Sequence, residues 1–441
     1  MSFSAPQAII RGRFLDIQSL VNQADQIAEH VRYLEDGVML IEQGKIVAFD
    51  HWANLKDHLP AHAEITHYHE QLIIPGMIDT HIHYPQTEMV GAYGEQLLSW
   101  LNTYTFPTEL QFKDAAYAKE IAEFFLDELL KNGTTTALVF CTVHPESVDA
   151  LFEAAQVRQM RVVAGKVLMD RHAPDGLCDT AERAYNESKA LIEKWHGKGR
   201  ALYAITPRFA PTSTPEQLAR AGQLKQEFPD VYVHTHLSEN KDEIAWVKDL
   251  FPEQTGYLDV YQHYGLTGKR SVFAHCVHLE EYEWDCMHQT DSAIAFCPTS
   301  NLFLGSGLFP LKKTWDKQVK VGLGTDIGAG TSFSLLQTVN EAYKVQQLQS
   351  DKLSAYESFY HATLGGAKAL DLDDKLGNFA LGKEADFVVL DLKATALQAL
   401  RQSRAKSLED ALFALFTMGD DRNVESTYVY GQKVYQKAAS N

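Results

Sequence analysis

The alternation of apolar and polar positions divides the chain into three stretches of different character. From residue 8 to about 73 it reads as short strands and turns, AIIRGRFLDI and then GVMLIEQGKIVAFD, in which Gly44 separates two alternating runs as a hairpin requires. From residue 72 onward, apolar runs alternate with amphipathic segments of helical period, the signature of parallel βα units. There are eight such runs: LIIPGMIDTHIH, TTTALVFCTV, RVVAGKVLMD, ALYAITPRFAP, VYVHTHLSEN, SVFAHCVHL, AIAFCPTSNLF and VKVGLGTDIGAG. This pattern predicts an α/β fold, a (β/α)8 barrel whose functional groups sit at the C-terminal ends of the strands. The first run is expected to be a single buried strand. Helices are expected over 113–132, stopped by Gly133, and over 354–370. Beyond 372, GNFALGKEADFVVLDL and ESTYVYGQKVYQ return to the β pattern of the N-terminus. The economical arrangement places 73–372 in the barrel, with 1–72 and 373–441 forming a small flanking β-sandwich-like domain. A long aromatic insert, 84–112, follows the first strand and reads as a lid or pocket wall.

Composition narrows the function classes. A chain of 441 residues, 45% of them hydrophobic, can bury a large core and one smaller one. With 40 basic against 58 acidic residues the net charge is −18, and no Lys/Arg cluster offers the basic face that a nucleic-acid partner needs. No segment reaches the length of an apolar membrane span, and the start, MSFSAPQAIIRGRFLDI, lacks the apolar core of a secretion signal. A cytoplasmic protein without a membrane partner is expected. The five cysteines, at 141, 178, 276, 286 and 297, are scattered without a CxxC pair and read as reduced thiols.

The candidate chemistry begins where the first strand ends in Asp79, His81 and His83. Successive strand residues face opposite ways, so His81 and His83 point together, roughly 6.6 Å apart along the strand at ~3.3 Å per residue. Such a pair can grip one metal ion. His67 and His69 repeat the spacing inside the polar THYHE and read as surface. Other strand ends supply Arg208 on strand four, His236 with Glu239 on strand five, His275 on strand six and Asp326 on strand eight. Catalytic zinc takes nitrogen and oxygen ligands and keeps a position open for water, and His81, His83, His236 and Asp326 form such a set. His234 shares the strand face of His236 one layer deeper and reads as core. Glu239 is placed to move protons, although a glutamate in a first helical turn would also suit the helix dipole. His275 is either a fifth ligand or a donor to the water, and Asp326 could instead cap a helix in TDIGAGTSF.

These residues carry a resemblance. PGMIDTHIH, the HLSE of strand five, the histidine of strand six and the aspartate of strand eight resemble the amidohydrolase superfamily, which combines a barrel with a flanking β-domain. HATLGGAKAL followed by LGNFALGKEADFVVLD is similar to that family's C-terminal signature, so the likeness spans nearly the whole chain. Lys166 lies inside strand three rather than where two-metal members place a bridging lysine, which favours one metal. Within the superfamily, HIHYPQ, LLSWLNTYTFPTE and TPRFAPT resemble the guanine deaminase family. That resemblance implies hydrolysis of the 2-amino group of guanine to xanthine and ammonia. It implies one zinc per chain on His81, His83, His236 and Asp326, with Glu239 as proton shuttle and His275 and Asp326 beside the water. It implies a purine held by Gln86, Arg208 and Phe209 with Trp100 in the wall, and a homodimer. Two alternatives remain open: a related zinc aminohydrolase acting on a pterin, triazine or adenosine-type ring, and a non-catalytic scaffold of the same fold. The other zinc deaminase design, HxE with a distant PCxxC, is not met, because HAE at 62–64 and HPE at 144–146 have no PCxxC partner.

Overall fold

The computed structural model describes residues 7–21, 26–60, 62–93 and 97–438. The N-terminal alternating runs form β1 (Ala8–Ile17), β2 (Val31–Glu42), β3 (Lys45–His51) and β4 (Thr66–Pro75). The barrel runs form β5 (Met77–His83), β6 (Thr134–Phe140), β7 (Arg161–Gly165), β8 (Val167–Leu168), β9 (Ala201–Pro207), β10 (Tyr232–Leu237), β11 (Ser271–His275), β12 (Ala293–Phe296) and β13 (Lys320–Leu323). The C-terminal runs form β14 (Phe387–Leu390), β15 (Val424–Val429) and β16 (Gln432–Gln436).

Both chain ends contribute to one mixed sheet, in the order β16-β15-β14-β4-β1-β2-β3. Two of its hairpins turn on pairs with positive φ, Gln43 and Gly44 (48° and 75°) and Tyr430 and Gly431 (51° and 75°). Both central residues at positive φ are what the twist-matched two-residue hairpin demands. The sheet curls on itself. Ile46 N–H donates to the Lys383 carbonyl (2.9 Å) and Ala385 N–H to that of Gly44 (2.8 Å), so the start of β3 meets the segment leading into β14. Phe14, Met39, Ile41, Ile73, Phe379 and Phe387 fill the space enclosed, which gives a single sheet its sandwich-like body.

The run at 72–83, expected as one strand, is two. Leu72 and Ile74 pair with Leu390 and Val388 in the small sheet, whereas Met77 onward pairs with β6 in the barrel. Gly76 makes the crossing, and a Cβ there would lie 2.0 Å from Thr135 Oγ1. The residues on either side are fully buried, so no polar position breaks the apolar run.

The barrel strands run parallel in the order β5-β6-β7-β9-β10-β11-β12-β13, and β8 prolongs the third strand against β9. Closure comes from the chain just beyond β13. Asp326 N–H donates to the His81 carbonyl (2.9 Å), and His83 N–H to that of Ile327 (3.1 Å). The last seam of the barrel is therefore sewn at the residues of chemical interest. The opposite end is plugged by apolar side chains, including Ile78, Val163, Tyr232, Val272, Ala367 and Leu370. The helix expected over 113–132 spans Ala115–Lys131, started by Asp114, whose carboxylate accepts from Ala116 N–H (2.8 Å). The one expected over 354–370 is two, Ala355–Ala362 and Leu364–Ala369, broken at Thr363 (φ −129°, ψ −93°). The insert folds as short helical turns, among them Tyr84–Met89, Leu97–Trp100 and Phe106–Glu109. All five cysteines are free. Among the described residues no helix is long and apolar enough to cross a membrane.

Candidate metal centre and active site

Three strand tops, those of β5, β10 and β13, bring the donors together. His83 Nε2 and His236 Nε2 lie 3.2 Å apart, and Asp326 Oδ1 is 3.2 Å from His81 Nε2 and 3.4 Å from His83 Nε2. Ligands about 2.05 Å from a tetrahedral ion would be separated by roughly 3.3 Å. The measured separations match that figure. His81 Nε2 is buried and has no hydrogen-bond partner, an orphan that a cation would satisfy. Burial first, and then the neighbouring imidazoles, hold His81, His83 and His236 well below the ordinary histidine range. They are thus neutral, with lone pairs available. Two sets of three donors, His81 with His83 and His236, and His81 with His275 and Asp326, are gathered closely enough to hold a metal ion.

Each donor is oriented from behind. His236 Nδ1 is 2.7 Å from the Arg208 carbonyl, which turns Nε2 inward. His81 Nδ1 is 2.8 Å from His234 Nε2, so the histidine read as core is the support of a candidate ligand. Asp79 pins the first strand to the last, accepting from His81 N–H and Thr325 N–H at 3.1 Å each, and burial pushes its carboxyl up to about 7. Asp326 caps no helix. It sits at φ 51°, as His275 sits at 71°, in the left-handed region that non-glycine residues seldom occupy.

Glu239 and His275 stand beside the donors. His275 Nε2 lies 3.5 Å from Glu239 Oε2 and 3.8 Å from Asp326 Oδ2, while Nδ1–H donates to Asn301 Oδ1 at 2.8 Å. Burial would lower the His275 imidazole, but the carboxylates of Glu239 and Asp326 outweigh it and hold it above its ordinary value. Burial raises the Glu239 carboxyl, with the His275 charge pulling part of the way back. Ser306 donates to Glu239 Oε1 at 2.9 Å, and Glu243 Oε2 accepts from the Glu239 N–H at 3.0 Å.

A cavity opens over this group, and its lining includes His83, His236, Glu239, His275 and Asp326 together with Gln86, Trp100, Arg208 and Phe209. Every residue assigned to the metal, the proton transfer or the purine in the sequence therefore lines this one space, except His81, which lies behind it with no exposed surface. Gln86 is more committed than its position in a turn implies. Its Oε1 accepts from Gly328 N–H (3.1 Å) and its Nε2 approaches Glu109 (3.5 Å), leaving one N–H and one lone pair for a ligand. Lys166 is remote from the donors, its ammonium bonded to Asp179 and 3.5 Å from Glu187. His67 is half-buried and His69 exposed, on a strand of the other sheet.

Sequence reasoning passed over Glu109, Asn301, Ser306 and Glu243. Glu109 closes the motif LLSWLNTYTFPTE and Asn301 lies inside the run AIAFCPTSNLF, so their place in these stretches was the available signal, whereas Ser306 carried none.

Fold and donors together define a metal-dependent barrel hydrolase, and the chain belongs to the amidohydrolase family, whose sequence profile matches residues 72–434. It is 63% identical over 428 residues to the guanine deaminase of Escherichia coli K12, covering 97% of this chain and 98% of that one. The human guanine deaminase is 34% identical over 386 residues, 84% and 85% of the two chains. Among solved structures, E. coli guanine deaminase superposes with a TM-score of 0.96, covering 98% of this chain and all of that one. A Clostridium acetobutylicum guanine deaminase with guanine bound in its active site gives 0.86 at 30% identity, covering 97% of this chain and 100% of that one.

Proposed function

We propose that the chain is a guanine deaminase, exchanging the 2-amino group of guanine for oxygen to give xanthine and ammonia. The observation that carries this reading is one buried cavity in which a metal donor set, the Glu239 carboxylate and a wall of Gln86, Trp100, Arg208 and Phe209 meet. Identity of 63% along nearly the full length to a guanine deaminase supports it. A flat purine needs an aromatic face, which Phe209 and Trp100 offer, and directional partners at its edge. Arg208 has donors alone, suited to the carbonyl oxygen and N7 of guanine and mismatched to adenine, whose 6-amino group is itself a donor.

One zinc per chain, held by His81, His83, His236 and Asp326, would lower the pKa of a coordinated water to about 7 and so supply the nucleophile at neutral pH. The chain's own groups do the rest. Asp326 and His275 orient the attacking oxygen toward C2. The Glu239 carboxylate takes one proton of the attacking water and passes it to the ring nitrogen beside C2; it then takes the remaining proton from the oxygen now bonded to C2 and delivers it to the amine, so that the C2–N bond breaks, ammonia leaves and the C2 carbonyl forms. In the same reading 73–372 carry the chemistry, 1–72 with 373–441 form a flanking domain, and the protein is a cytoplasmic homodimer, a state that sedimentation of the purified chain tests.

The deciding experiment is ammonia release by purified protein of measured metal content, offered guanine and, in parallel, adenine, cytosine, a pterin and a triazine. Strong guanine turnover at about one zinc per chain is expected. Zinc with turnover of another ring transfers the assignment to that substrate, and neither zinc nor turnover leaves the scaffold reading.

A further inference from the structure

The insert carries a buried carboxylate that the chemistry above does not use. Glu109 has no exposed surface, and both its oxygens accept from Arg208 Nη1, at 2.9 and 2.8 Å. Gln86 Nε2 lies 3.5 Å from the same carboxylate, so Glu109 touches two of the four residues assigned to the purine wall. Arg208 is itself 2% exposed, lines the cavity and lies over the Phe106 ring at 5.5 Å. Among the described residues its Nε and Nη2 have no hydrogen-bond partner, and these are the donors left for a ligand. A guanidinium keeps its proton at any working pH. Unpaired in so dry a place, it would favour any anion that could reach it. Paired with Glu109, it offers N–H groups from an ion pair without net charge.

We propose that Glu109 sets the charge preference of the cavity, neutralising Arg208 so that the site selects an uncharged purine and releases the more acidic purine that deamination leaves behind. The proposal rests on the guanine reading. Replacing the 2-amino group by a carbonyl places a ring N–H between two carbonyls, so the product gives up a proton more readily than the substrate does. A lone Arg208 would hold that anion. The carboxylate behind the fork repels it. Glu109 acts through Arg208 and Gln86 and is a positioning residue rather than a catalytic one. It also ties the insert to the top of β9, because Arg208 follows Pro207 directly.

The test compares equilibrium binding of xanthine, partly anionic in mildly alkaline buffer, with that of hypoxanthine, which stays neutral, to the zinc-loaded wild type and Glu109→Gln. Expected is a shift of the affinity ratio toward xanthine by about tenfold or more, the scale of one charge-assisted contact, accompanied by stronger product inhibition of guanine turnover. Equal changes for both purines overturn the proposal and leave Glu109 a structural tie. If Glu109→Gln does not fold, the double variant Glu109→Gln with Arg208→Gln, which removes both charges together, tests the same point: a pair that is already neutral leaves the xanthine-to-hypoxanthine affinity ratio within a few-fold of wild type, and a tenfold fall in that ratio overturns the idea. Because binding is read without turnover, a wild type inactive on guanine would defeat the guanine reading while leaving the charge preference measurable.

Discussion

Glu239→Gln separates proton transfer from metal binding, because the two reside on different atoms here. The Glu239 carboxylate is not part of the His81, His83 and Asp326 contacts; its oxygens face Ser306 at 2.9 Å and His275 at 3.5 Å. Glutamine has the same shape, can still accept from Ser306 and presents an N–H toward His275 Nε2. Packing and metal content are thus expected to be unchanged. What disappears is the ability to carry a proton, worth ~10²- to 10⁴-fold for a placed general acid-base group. At 1.36 kcal/mol per factor of ten, that is about 3–5 kcal/mol of barrier. Burial, which raises the carboxyl toward neutrality, favours the upper half of the range, since a carboxyl tuned toward the working pH both takes and returns a proton effectively. The assay is the fall in guanine absorbance under saturating substrate, with zinc determined on the same sample. Turnover within a few-fold of wild type would refute the proton-shuttle role, and loss of zinc would show instead that Glu239 is a ligand.

Three further perturbations follow from particular contacts. His234→Leu removes the partner of His81 Nδ1 without touching the cavity, and should weaken metal affinity by about 10- to 100-fold in a chelator competition; unchanged affinity would return His234 to the core. His361, fully buried on Ala355–Ala362, is pushed by burial down to about 4, so between there and its unfolded value near 6.5 the unfolded chain binds more protons. Its contribution is complete above about pH 6.5 and is lost as pH falls through that window, by about 3 kcal/mol. His361→Gln should flatten this part of the stability curve in urea melts at pH 5 and 7, and parallel curves would contradict it. Glu384 accepts from Arg161 (2.8 Å) and Arg200 (2.6 Å), where the start of β7 and the residue before β9 meet the small sheet. Glu384→Ala leaves two nearly buried guanidinium groups short of a counterion and should cost about 3–5 kcal/mol of unfolding free energy; a loss below about 1 kcal/mol would mean that water replaces the carboxylate.

Local rules made much of the molecule legible in its sequence. The hairpin between β2 and β3 was visible at Gly44 because only certain residues tolerate positive φ, and the alternation of strands and helices was visible because each element must bury one face. The pairing of His81 with His83 on one side of β5 follows from the two-residue period of a strand, and the meeting of strand tops follows from the barrel. These are properties of neighbours in the chain or of the fold class. Periodicity could not divide 72–83 into strands of two sheets, because a run buried on both faces has no polar side to mark where it changes partners. Nor could it break a helix at Thr363 or place Lys166 on Asp179. The same limit applies at the site. Asn301 acquires meaning from His275, 26 residues away, Ser306 from Glu239, 67 away, and Glu109 from Arg208, 99 away. The sequence by itself determined which side chains could be ligands and which end of the barrel they would occupy. Only the tertiary structure decided which buried carboxylate, amide or hydroxyl completes each of them, because a hydrogen bond is settled over about 3 Å in space and leaves no periodic mark along the chain.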